Sequence, residues 1–306
     1  MKSIKQILAA YAKQATIYFK RPLSLFDNWA ALGRLNWMPD KWYLSLMFRS
    51  KMGYWMNWKN PKTFNEKLQW LKIYDRNPLY TKLVDKYEVR KYIADKIGKE
   101  YLIPLLGVWD TPEEIDFKKL PNQFVLKCTH DSGSVIICKD KANFNTEMAK
   151  KLLKDHLAIN YYYSAREWPY KNVKPRIIAE KYIEDENHEL NDYKFFCFNG
   201  KVEFMYISRD KSDHPTTDFF DTNFKHLNLH MKDPGSATLP TKPIGFEKMK
   251  FLANVLSEGF PHARIDFYNI KNQVLVGEIT FYHNAGFFPI TPKNKNIEIG
   301  KKITAI

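Results

Sequence analysis

The chain has 306 residues, of which 44% are hydrophobic and 15% aromatic. This length and composition allow a sizeable core divided into two or three lobes, and they exclude a chain that is disordered throughout. Lysine and arginine outnumber aspartate and glutamate by 48 to 34, which gives a formal net charge of +14. The surplus favours anionic partners such as nucleotides, nucleic acid, acidic glycans or an anionic membrane surface, although a basic surface can also serve solubility alone.

Cysteine usage and hydropathy indicate the compartment. Cys128, Cys138 and Cys197 are odd in number and lack a CxxC spacing, which argues against a disulfide framework and against a zinc site. No apolar run approaches the ~20 residues needed to span a bilayer. Lysines interrupt the N-terminal segment, where a signal peptide would need a clean apolar stretch. We therefore expect a cytoplasmic protein, with the inner face of the cell membrane as the alternative location.

Residues 1–75 are predicted to be mainly helical. Ile4, Leu8, Tyr11 and Ala15 recur at helical spacing between lysines, which predicts a basic amphipathic helix. Packing against the rest of the protein is the commoner use of such a helix, and peripheral association with a membrane is the alternative. Six tryptophans fall in this region: Trp29, Trp37, Trp42, Trp55, Trp58 and Trp70. We expect them to be buried in a helical core, with a platform that stacks on carbohydrate as the second interpretation.

A capping box predicts the start of the next helix at Thr63, because Glu66 follows three residues later. One further helix is predicted from Asn77-Pro78 to Gly98. Its buried side is expected to contain Leu79, Leu83, Tyr87, Ile93 and Ile97. The segment DTPEEIDFKKLP predicts a short helix capped by Thr111.

Strands follow. QFVLK and SVIIC are predicted to be two strands joined by a short polar loop, before a helix near 146–158 and a strand in RIIAEKYI. Asn199-Gly200 between DYKFFCF and KVEFMYIS is a strong signal for a two-residue hairpin. A last pair of strands is predicted in ARIDFY and QVLVGEITF. Because strands and helices do not alternate regularly, antiparallel α+β lobes fit better than a doubly wound parallel sheet.

The loop of VLKCTHDSGSVIIC is a candidate anion site. Lys127 ends a strand at its entrance, and an unpaired buried ammonium is costly, so a role beyond packing is indicated. Gly133 and its small neighbours would let backbone N–H groups converge on a phosphate. A lysine that merely reaches water from an ordinary hairpin is the alternative, and the Walker A pattern is absent.

Asp266 and Glu278 lie on the two arms of the last hairpin, and two facing carboxylates could hold Mg²⁺. With a four-residue turn over residues 269–272, Asp266 would lie opposite Leu275 and Glu278 would point to the other face. An odd-length turn or a bulge would place Asp266 opposite Val276, on the face of Glu278. The metal interpretation therefore requires such an irregularity, and two solvated carboxylates are the alternative.

The order of these features resembles the ATP-grasp superfamily. VLKCTHDSGSVIIC, DYKFFCFNGK and RIDFY…GEITFYHNAGF look more closely like the TupA-like ATP-grasp proteins, which are associated with teichuronopeptide and other bacterial surface polysaccharides. The resemblance implies an α+β ATP-grasp fold in which two antiparallel lobes clasp ATP. We divide the chain accordingly into a helical region (1–75), a first lobe with its preceding helix (76–180) and a second lobe (181–306).

The resemblance also implies ATP-binding residues. Lys86 and Lys127 match the two lysines that contact phosphate. His130, Ser132, Gly133 and Ser134 belong to the matching loop that closes over the β- and γ-phosphates, and we expect this loop to be ordered only with nucleotide. Residues that match the adenine and ribose region are Glu180, Lys181, Ile183, Asp185 and Glu186.

The same resemblance implies a metal centre. Asp266 and Glu278 match carboxylate ligands of Mg²⁺, whereas Thr280 stands where many ATP-grasp enzymes have an asparagine ligand. Asn284 could take over that role. Lys127 is also a candidate catalytic residue, together with two cations of the middle hairpin, Lys194 and Arg209, which could neutralise a phosphate or a substrate carboxylate.

The function that follows is ATP-dependent ligation of a carboxylate and an amine through an acyl phosphate. We expect the carboxylate to be a uronic acid of an acidic glycan or a lipid-linked oligosaccharide, and the amine an amino acid or another amine. One alternative is a kinase or a protein associated with sugar transfer in polysaccharide synthesis. A second is a non-catalytic basic module that binds membrane or nucleic acid, but no nucleic-acid recognition motif is present.

Overall fold

The computed structural model describes residues 23–185, 190–209, 214–271 and 273–304. Its helices are α1 (Ser24–Ala31), α2 (Asp40–Met52), α3 (Phe64–Tyr74), α4 (Leu79–Val84), α5 (Val89–Ile97), α6 (Thr146–Leu157), α7 (Tyr162–Ala165), α8 (Phe246–Ser257) and α9 (Lys293–Gly300). Its strands are β1 (Leu105–Trp109), β2 (Phe124–Cys128), β3 (Ile136–Cys138), β4 (Ile177–Lys181), β5 (Asp192–Phe198), β6 (Lys201–Arg209), β7 (Thr216–Asp221), β8 (His262–Ile270) and β9 (Gln273–Thr280). Five short 3₁₀ turns connect them. The predicted N-terminal amphipathic helix lies outside the described residues.

The strands form two separate antiparallel sheets. The first has the order β1-β4-β2-β3 and the second the order β7-β6-β5-β8-β9. In the first sheet, Phe124, Leu126 and Cys128 alternate toward a core that includes Leu153 of α6. Lys127 therefore lies on the opposite face, because successive side chains of a strand point to opposite sides. This alternation places the candidate phosphate lysine on the face that α6 does not cover.

The second sheet carries the largest core of the molecule. Phe195, Phe196, Met205 and Ile265 are buried there together with side chains of α8. Burial of each such side chain stabilises the fold by roughly 1.5–3 kcal/mol. Helices α3, α4 and α5 contribute to the same core, so the chain that precedes the first sheet packs against the second.

Local signals in the sequence account for several boundaries. Thr63 and Glu66 form the predicted capping box at the start of α3. Asn199 and Gly200 have φ values of +49° and +77° and form the predicted two-residue turn between β5 and β6. The segment that begins at Thr111 forms only a 3₁₀ turn, Pro112–Glu114.

The single helix predicted from Asn77 to Gly98 is wrong. The chain forms two helices, α4 and α5, that are separated at Asp85. The carboxylate of Asp85 accepts hydrogen bonds from the backbone N–H groups of Tyr87 (2.8 Å) and Glu88 (3.3 Å). An aspartate that caps the following backbone in this way competes with a continuous helix. The break exposes the backbone of Lys86, whose N–H donates to the carbonyl of Thr129 in the first lobe.

The expected burial of the N-terminal tryptophans is also wrong for most of them. Exposed fractions are 43% for Trp29, 76% for Trp37, 70% for Trp42 and 60% for Trp55. The local core is made instead by smaller or narrower side chains, namely Ala30, Leu35, Tyr43, Leu44, Met47, Phe48 and Met56. Trp58 and Trp70 pack against this core while remaining partly exposed.

Among the residues that the structure describes, no helix is both long and apolar enough to cross a bilayer.

Candidate functional site

A bulge in the β8–β9 hairpin brings Asp266 and Glu278 together. Near the turn, Ile270 pairs with Gln273, and this register would place Asp266 opposite Gly277. The register shifts between Asp266 and Phe267, so that Asp266 pairs directly with Glu278. The sequence analysis required an irregularity of this kind and expected Val276 opposite Asp266. The structure has the bulge, with Glu278 itself as the opposing residue.

Arg264 connects the acidic residues of this face. Its Nε and Nη2 donate to the two carboxylate oxygens of Asp266, each at 2.7 Å. Nη2 also lies 2.7 Å from Oε1 of Glu278 and 3.2 Å from Oγ1 of Thr280. The side chain of Arg264 is only 8% exposed, while that of Glu278 is 46% exposed. The guanidinium therefore binds the two carboxylates on their buried side, and Glu278 remains open to solvent.

The charged side chains of this cluster form ion pairs with one another. Burial would raise the pKa of Glu278, but Arg264 and Lys194 lower it to about 2, so the carboxylate is ionised. Lys194 forms ion pairs with Asp266 and, at 3.1 Å, with Asp192. Burial acts to lower the pKa of Lys194, and these two carboxylates raise it above its usual range.

A cavity of about 480 Å³ opens over this cluster. Lys194, Arg264, Glu278, Thr280 and Asn284 line it from the second lobe. Its other wall comes from the first lobe and the segment that follows α6, namely Asp131, Ser132, Tyr161, Glu167 and Tyr170. The cavity thus lies between the two sheets, and five of the sequence-predicted site residues line it: Ser132, Lys194, Glu278, Thr280 and Asn284.

A second group of predicted residues lies on the open face of the first sheet. Nζ of Lys127 is 2.7 Å from Oε2 of Glu180, and Arg90 of α5 approaches Oε1 at 3.2 Å. Arg90 also donates to the carbonyl of Ile103 at 2.9 Å. Glu180 is 7% exposed, so its charge is neutralised by the two cations rather than by water.

The loop that follows Lys127 is anchored at both ends. Ser134 Oγ donates to Asp131 at 2.5 Å and accepts the N–H of Cys128 at 2.8 Å, while His156 contacts the other Asp131 oxygen at 2.7 Å. His130 is buried and contacts the carbonyl of Ile159 at 3.1 Å.

Only the tip of this loop is open. Ser132 and Gly133 are exposed, and a Cβ built on Gly133, which has φ +107°, would meet no atom within 4 Å. Lys86 donates to the carbonyls of Cys128 (3.1 Å) and Asp131. Burial lowers the pKa of Lys86, which the Asp131 and Glu278 carboxylates oppose. Lys86 therefore contacts the loop directly and also interacts electrostatically with Glu278 of the carboxylate cluster.

The remaining predicted residues lie away from the cavity lining. Lys181 is exposed and ends β4, and Ile183 and Asp185 follow it half-buried. Glu186 lies outside the described residues. Arg209 ends β6, where it donates to the carbonyl of Thr238 at 2.6 Å and lies 3.4 Å from Asp218.

Sequence analysis did not single out Arg264, although a signal was present. Arg264 lies two residues before Asp266, so the alternation of β8 places both side chains on one face. Glu167 was also missed, and no local pattern could have found it. It enters the cavity because Arg166, with φ +54°, ends α7 and turns the chain. Burial raises the pKa of Glu167 to about 7 and lowers the pKa of the buried Lys72 to about 7, and each charge opposes the effect on the other.

The comparisons with known proteins agree with this architecture. The family model described as TupA-like ATPgrasp matches residues 66–304. The chain belongs to the TupA-like ATP-grasp family. This match confirms the predicted resemblance, and with the two antiparallel sheets it confirms the predicted α+β ATP-grasp fold. ATP-grasp enzymes bind ATP together with Mg²⁺, which confirms the predicted cofactors at the level of the superfamily.

Solved structures that are similar to this TupA-like chain include D-alanine–D-alanine ligases and an N5-carboxyaminoimidazole synthase. D-Alanine–D-alanine ligase from Helicobacter pylori is 17% identical with a TM-score of 0.45, over 78% of this chain and 68% of that one. The Bacillus anthracis ligase complexed with ATP is 14% identical with a TM-score of 0.37, over 65% and 54%. N5-carboxyaminoimidazole synthase from Aspergillus clavatus is 13% identical with a TM-score of 0.38, over 67% and 46%. The match thus spans about half of the B. anthracis ligase. A search of curated proteins gave no match.

Proposed function

We propose that the chain is an ATP-dependent ligase that joins a carboxylate to an amine. One observation carries the proposal. The β8–β9 bulge places Asp266, Glu278 and Thr280 on one face beside Arg264, under a cavity whose far wall includes Ser132 of the loop that follows Lys127. Two lysines, Lys86 and Lys127, lie on the first-lobe side of the same region. Cations on one side and hard oxygen donors on the other suit a nucleotide triphosphate and its metal.

The oxygen donors of the cluster fit Mg²⁺. Glu278 is ionised and half open to the cavity, and Asp266 lies directly opposite. Within the described ranges, no group of three His, Cys, Asp or Glu side chains could enclose a metal. Mg²⁺ does not need one, because it is usually bound by one or two carboxylates, waters and substrate phosphates. Asp266, Glu278 and Thr280 would hold the ion, with Asn284 as a further ligand, and the bound ion would neutralise charge on the phosphates.

The proposed reaction has two steps. A carboxylate oxygen forms a bond to the γ-phosphorus of ATP as the bond to ADP breaks, which gives an acyl phosphate and ADP. An amine nitrogen then bonds to the acyl carbon as inorganic phosphate leaves, and the amine gives up a proton. Glu167 lies in the same cavity and is suited to accept that proton, since burial raises its pKa to about 7.

The protein groups around the cavity would act by position and charge. Lys86 and Lys127 would bind the triphosphate. Arg264 and Lys194 would place positive charge near the oxyanion that forms when the amine attacks the acyl carbon. The loop tip at Ser132 and Gly133 would cover the phosphates and exclude water, which protects an acyl phosphate from hydrolysis. Tyr161, on the same wall of the cavity, forms a side-chain hydrogen bond with Ser132.

We propose a uronic acid of a bacterial surface polysaccharide, or of its precursor, as the carboxylate substrate. The net charge of +14 supports an acidic glycan, because a basic surface concentrates anionic partners. The TupA-like family is associated with such polymers, and the amine would be an amino acid or a related compound. The association of the family with surface polysaccharides also supports action in the cytoplasm, at the inner face of the membrane, if the precursor is lipid-linked.

The test combines purified protein, ATP, Mg²⁺, an oligouronide and a panel of amines, with ADP release and product mass as measurements. Ligation predicts a product that equals the two substrates minus one water, whereas a kinase would add a phosphate to one of them. Lys127→Ala should lose activity at least ~10-fold, because a charge-assisted phosphate contact is removed. Lys119→Ala is the matched control, since Lys119 lies in the same lobe and is 85% exposed. The absence of ADP above the Lys127→Ala background across the panel would reject ligation.

A further inference from the structure

A second cavity of about 790 Å³ adjoins the catalytic one. Ser164, Asn284, Ala285 and Phe288 line both, so the two cavities share a wall. The rest of the second cavity is formed by α1, α2 and the turn between them, together with residues 158–163. Its volume lies within the range of small-molecule sites and exceeds what one amino acid would need. We refer to it as the adjoining pocket.

The walls of the adjoining pocket combine apolar surface with neutral hydrogen-bonding groups. Met47, Phe287 and Phe288 supply apolar area, and Phe288 is 41% exposed. Asn36 and Asn160 supply exposed amide side chains to the lining, and the Asn160 amide is held in place by the carbonyl of Lys171 and the N–H of Tyr162, each at 3.1 Å. This mixture suits a pyranose ring, which has apolar C–H faces and hydroxyl groups at its edge.

Charge excludes an amino acid from the adjoining pocket. The charged side chains in its lining are Asp27 and Lys51, and they form an ion pair with each other at 2.9 Å. A zwitterionic ligand would need two further charged partners, because a buried charge is costly without one. The other cations nearby, Lys194, Lys232 and Arg264, line the catalytic cavity and not the adjoining pocket. The adjoining pocket therefore suits an uncharged part of a substrate whose charged part lies next door.

The shared wall is held rigidly. Arg166 is 1% exposed and donates to the carbonyls of Leu35 (2.8 Å) and Asn36 (3.3 Å), and its guanidinium lies 5.2 Å from the ring of Tyr163. Lys72 donates to the carbonyl of Ala285 at 2.8 Å from the other side. These contacts tie the N-terminal helices to the catalytic wall, so the pocket is preformed rather than created on binding.

We propose that the adjoining pocket binds the neutral sugar ring or rings of the acceptor glycan and directs the uronic carboxylate across the shared wall to the cations of the catalytic cavity. This inference rests on the proposed ligase function and specifies its substrate side. The N-terminal helices then determine acceptor specificity, which assigns a role to a region that lies largely outside the two ATP-grasp sheets. An apolar lipid tail is the competing occupant, but it would have no use for Asn36, Asn160 and Ser164.

The test fills the pocket with a side chain. Ala31 is exposed, ends α1 and lines the pocket, so Ala31→Trp should occupy space without disturbing a core. Ala142→Trp is the matched control, because Ala142 is also exposed but lies in a 3₁₀ turn beyond the first sheet. Binding of a trisaccharide with one terminal glucuronate and two neutral hexoses, neutral galactotriose, decyl phosphate and a non-hydrolysable ATP analogue is measured by calorimetry.

We expect Ala31→Trp to weaken both trisaccharides at least ~10-fold and to leave the ATP analogue unchanged, and Ala142→Trp to change nothing. Sugar binding that is insensitive to Ala31→Trp would overturn the inference, as would binding of decyl phosphate but neither sugar, or binding of the ATP analogue alone. ADP release separates this inference from the proposed function. Amine-dependent ADP release that Ala31→Trp leaves intact rejects the pocket and keeps the ligase. Sugar binding that Ala31→Trp weakens, in a protein that releases no ADP, supports the inference about the pocket and rejects the proposed ligase function.

Discussion

Lys72 is expected to be a main determinant of stability at the wall of the catalytic cavity. Its side chain is fully buried in α3, and its Nζ donates to Gln69 Oε1 (3.0 Å) and to the carbonyls of Ala165 (2.9 Å) and Ala285 (2.8 Å). It also lies 4.5 Å from the ring centroid of Phe287. One ammonium thus joins α3, the end of α7 and the turn after β9. Lys72→Met keeps the length of the side chain and removes all three donors.

The magnitude follows from the acceptors that are left. The carbonyl of Ala285 keeps the amide of Gln69 as a donor at 3.0 Å, whereas Gln69 Oε1 and the carbonyl of Ala165 lose the Lys72 donor. A buried acceptor without a partner costs about 1–3 kcal/mol, so two cost about 2–6 kcal/mol. Removing the buried ammonium relieves its own desolvation and offsets part of this cost. We expect Lys72→Met to lower the free energy of unfolding by about 3 kcal/mol. Glu167 also loses one of the two cations that stabilise its carboxylate, and Arg264 is the other.

Urea unfolding at pH 7, followed by tryptophan fluorescence, measures the change. Lys82→Met is the matched control, because Lys82 is an exposed residue of α4 and such surface substitutions usually change the free energy of unfolding by less than ~0.5 kcal/mol. The double variant Lys72→Met with Glu167→Gln should recover part of the loss, because glutamine carries no charge for Lys72 to offset. A Lys72→Met midpoint equal to that of Lys82→Met would refute the role assigned to the three hydrogen bonds.

Three further outcomes are expected. Burial raises the folded-state pKa of Glu167 from 4.5 to about 7, so the stability that Glu167 contributes falls as pH rises from about 5 to 7. Glu167→Gln should make the urea midpoint less dependent on pH over that interval. An unchanged pH dependence would contradict the assignment. In Gly277→Ala, the new Cβ would lie 3.1 Å from the ring of Tyr268. We expect this variant to lower the free energy of unfolding in urea by about 1–3 kcal/mol and to weaken Mg²⁺·ATP binding. Unchanged stability and unchanged binding would show that the bulge tolerates the methyl group. Hydrogen exchange at Ser132–Gly133 should slow when an ATP analogue binds, and equal exchange in both states would reduce the loop to an ordinary turn.

Local sequence signals predicted the parts of the fold that depend on neighbouring residues. The capping box of Thr63 and Glu66 and the turn at Asn199-Gly200 are satisfied by groups within four positions of each other. The break at Asp85 belongs to the same class and was missed, because its helical periodicity continues across the break while one carboxylate caps the backbone. The exposed tryptophans were missed for a different reason. Burial depends on which elements arrive from elsewhere, and no element of the described chain covers Trp37 or Trp42.

The candidate site shows the same division. Asp266 and Glu278 could be found as a pair, and the alternation of strand residues even specified the irregularity that their contact requires. Arg264 could have been added by the same rule, since it shares the face of Asp266. Glu167 could not, because it reaches the cavity through a left-handed residue at the end of a one-turn helix.

Three of the links that hold the two cavities together are made by cations that are largely or wholly buried. Arg264 joins the carboxylates of β8 and β9, Lys72 joins α3 to the turn after β9, and Arg166 joins α7 to the N-terminal helices. Each spends its charge on several acceptors, so each would leave several buried groups unpaired if it were removed. Such contacts fix the relative positions of the elements that they join. The proposed ligase would hold a reactive acyl phosphate next to an amine. It would benefit from that rigidity, because small displacements of the reacting groups reduce the rate steeply.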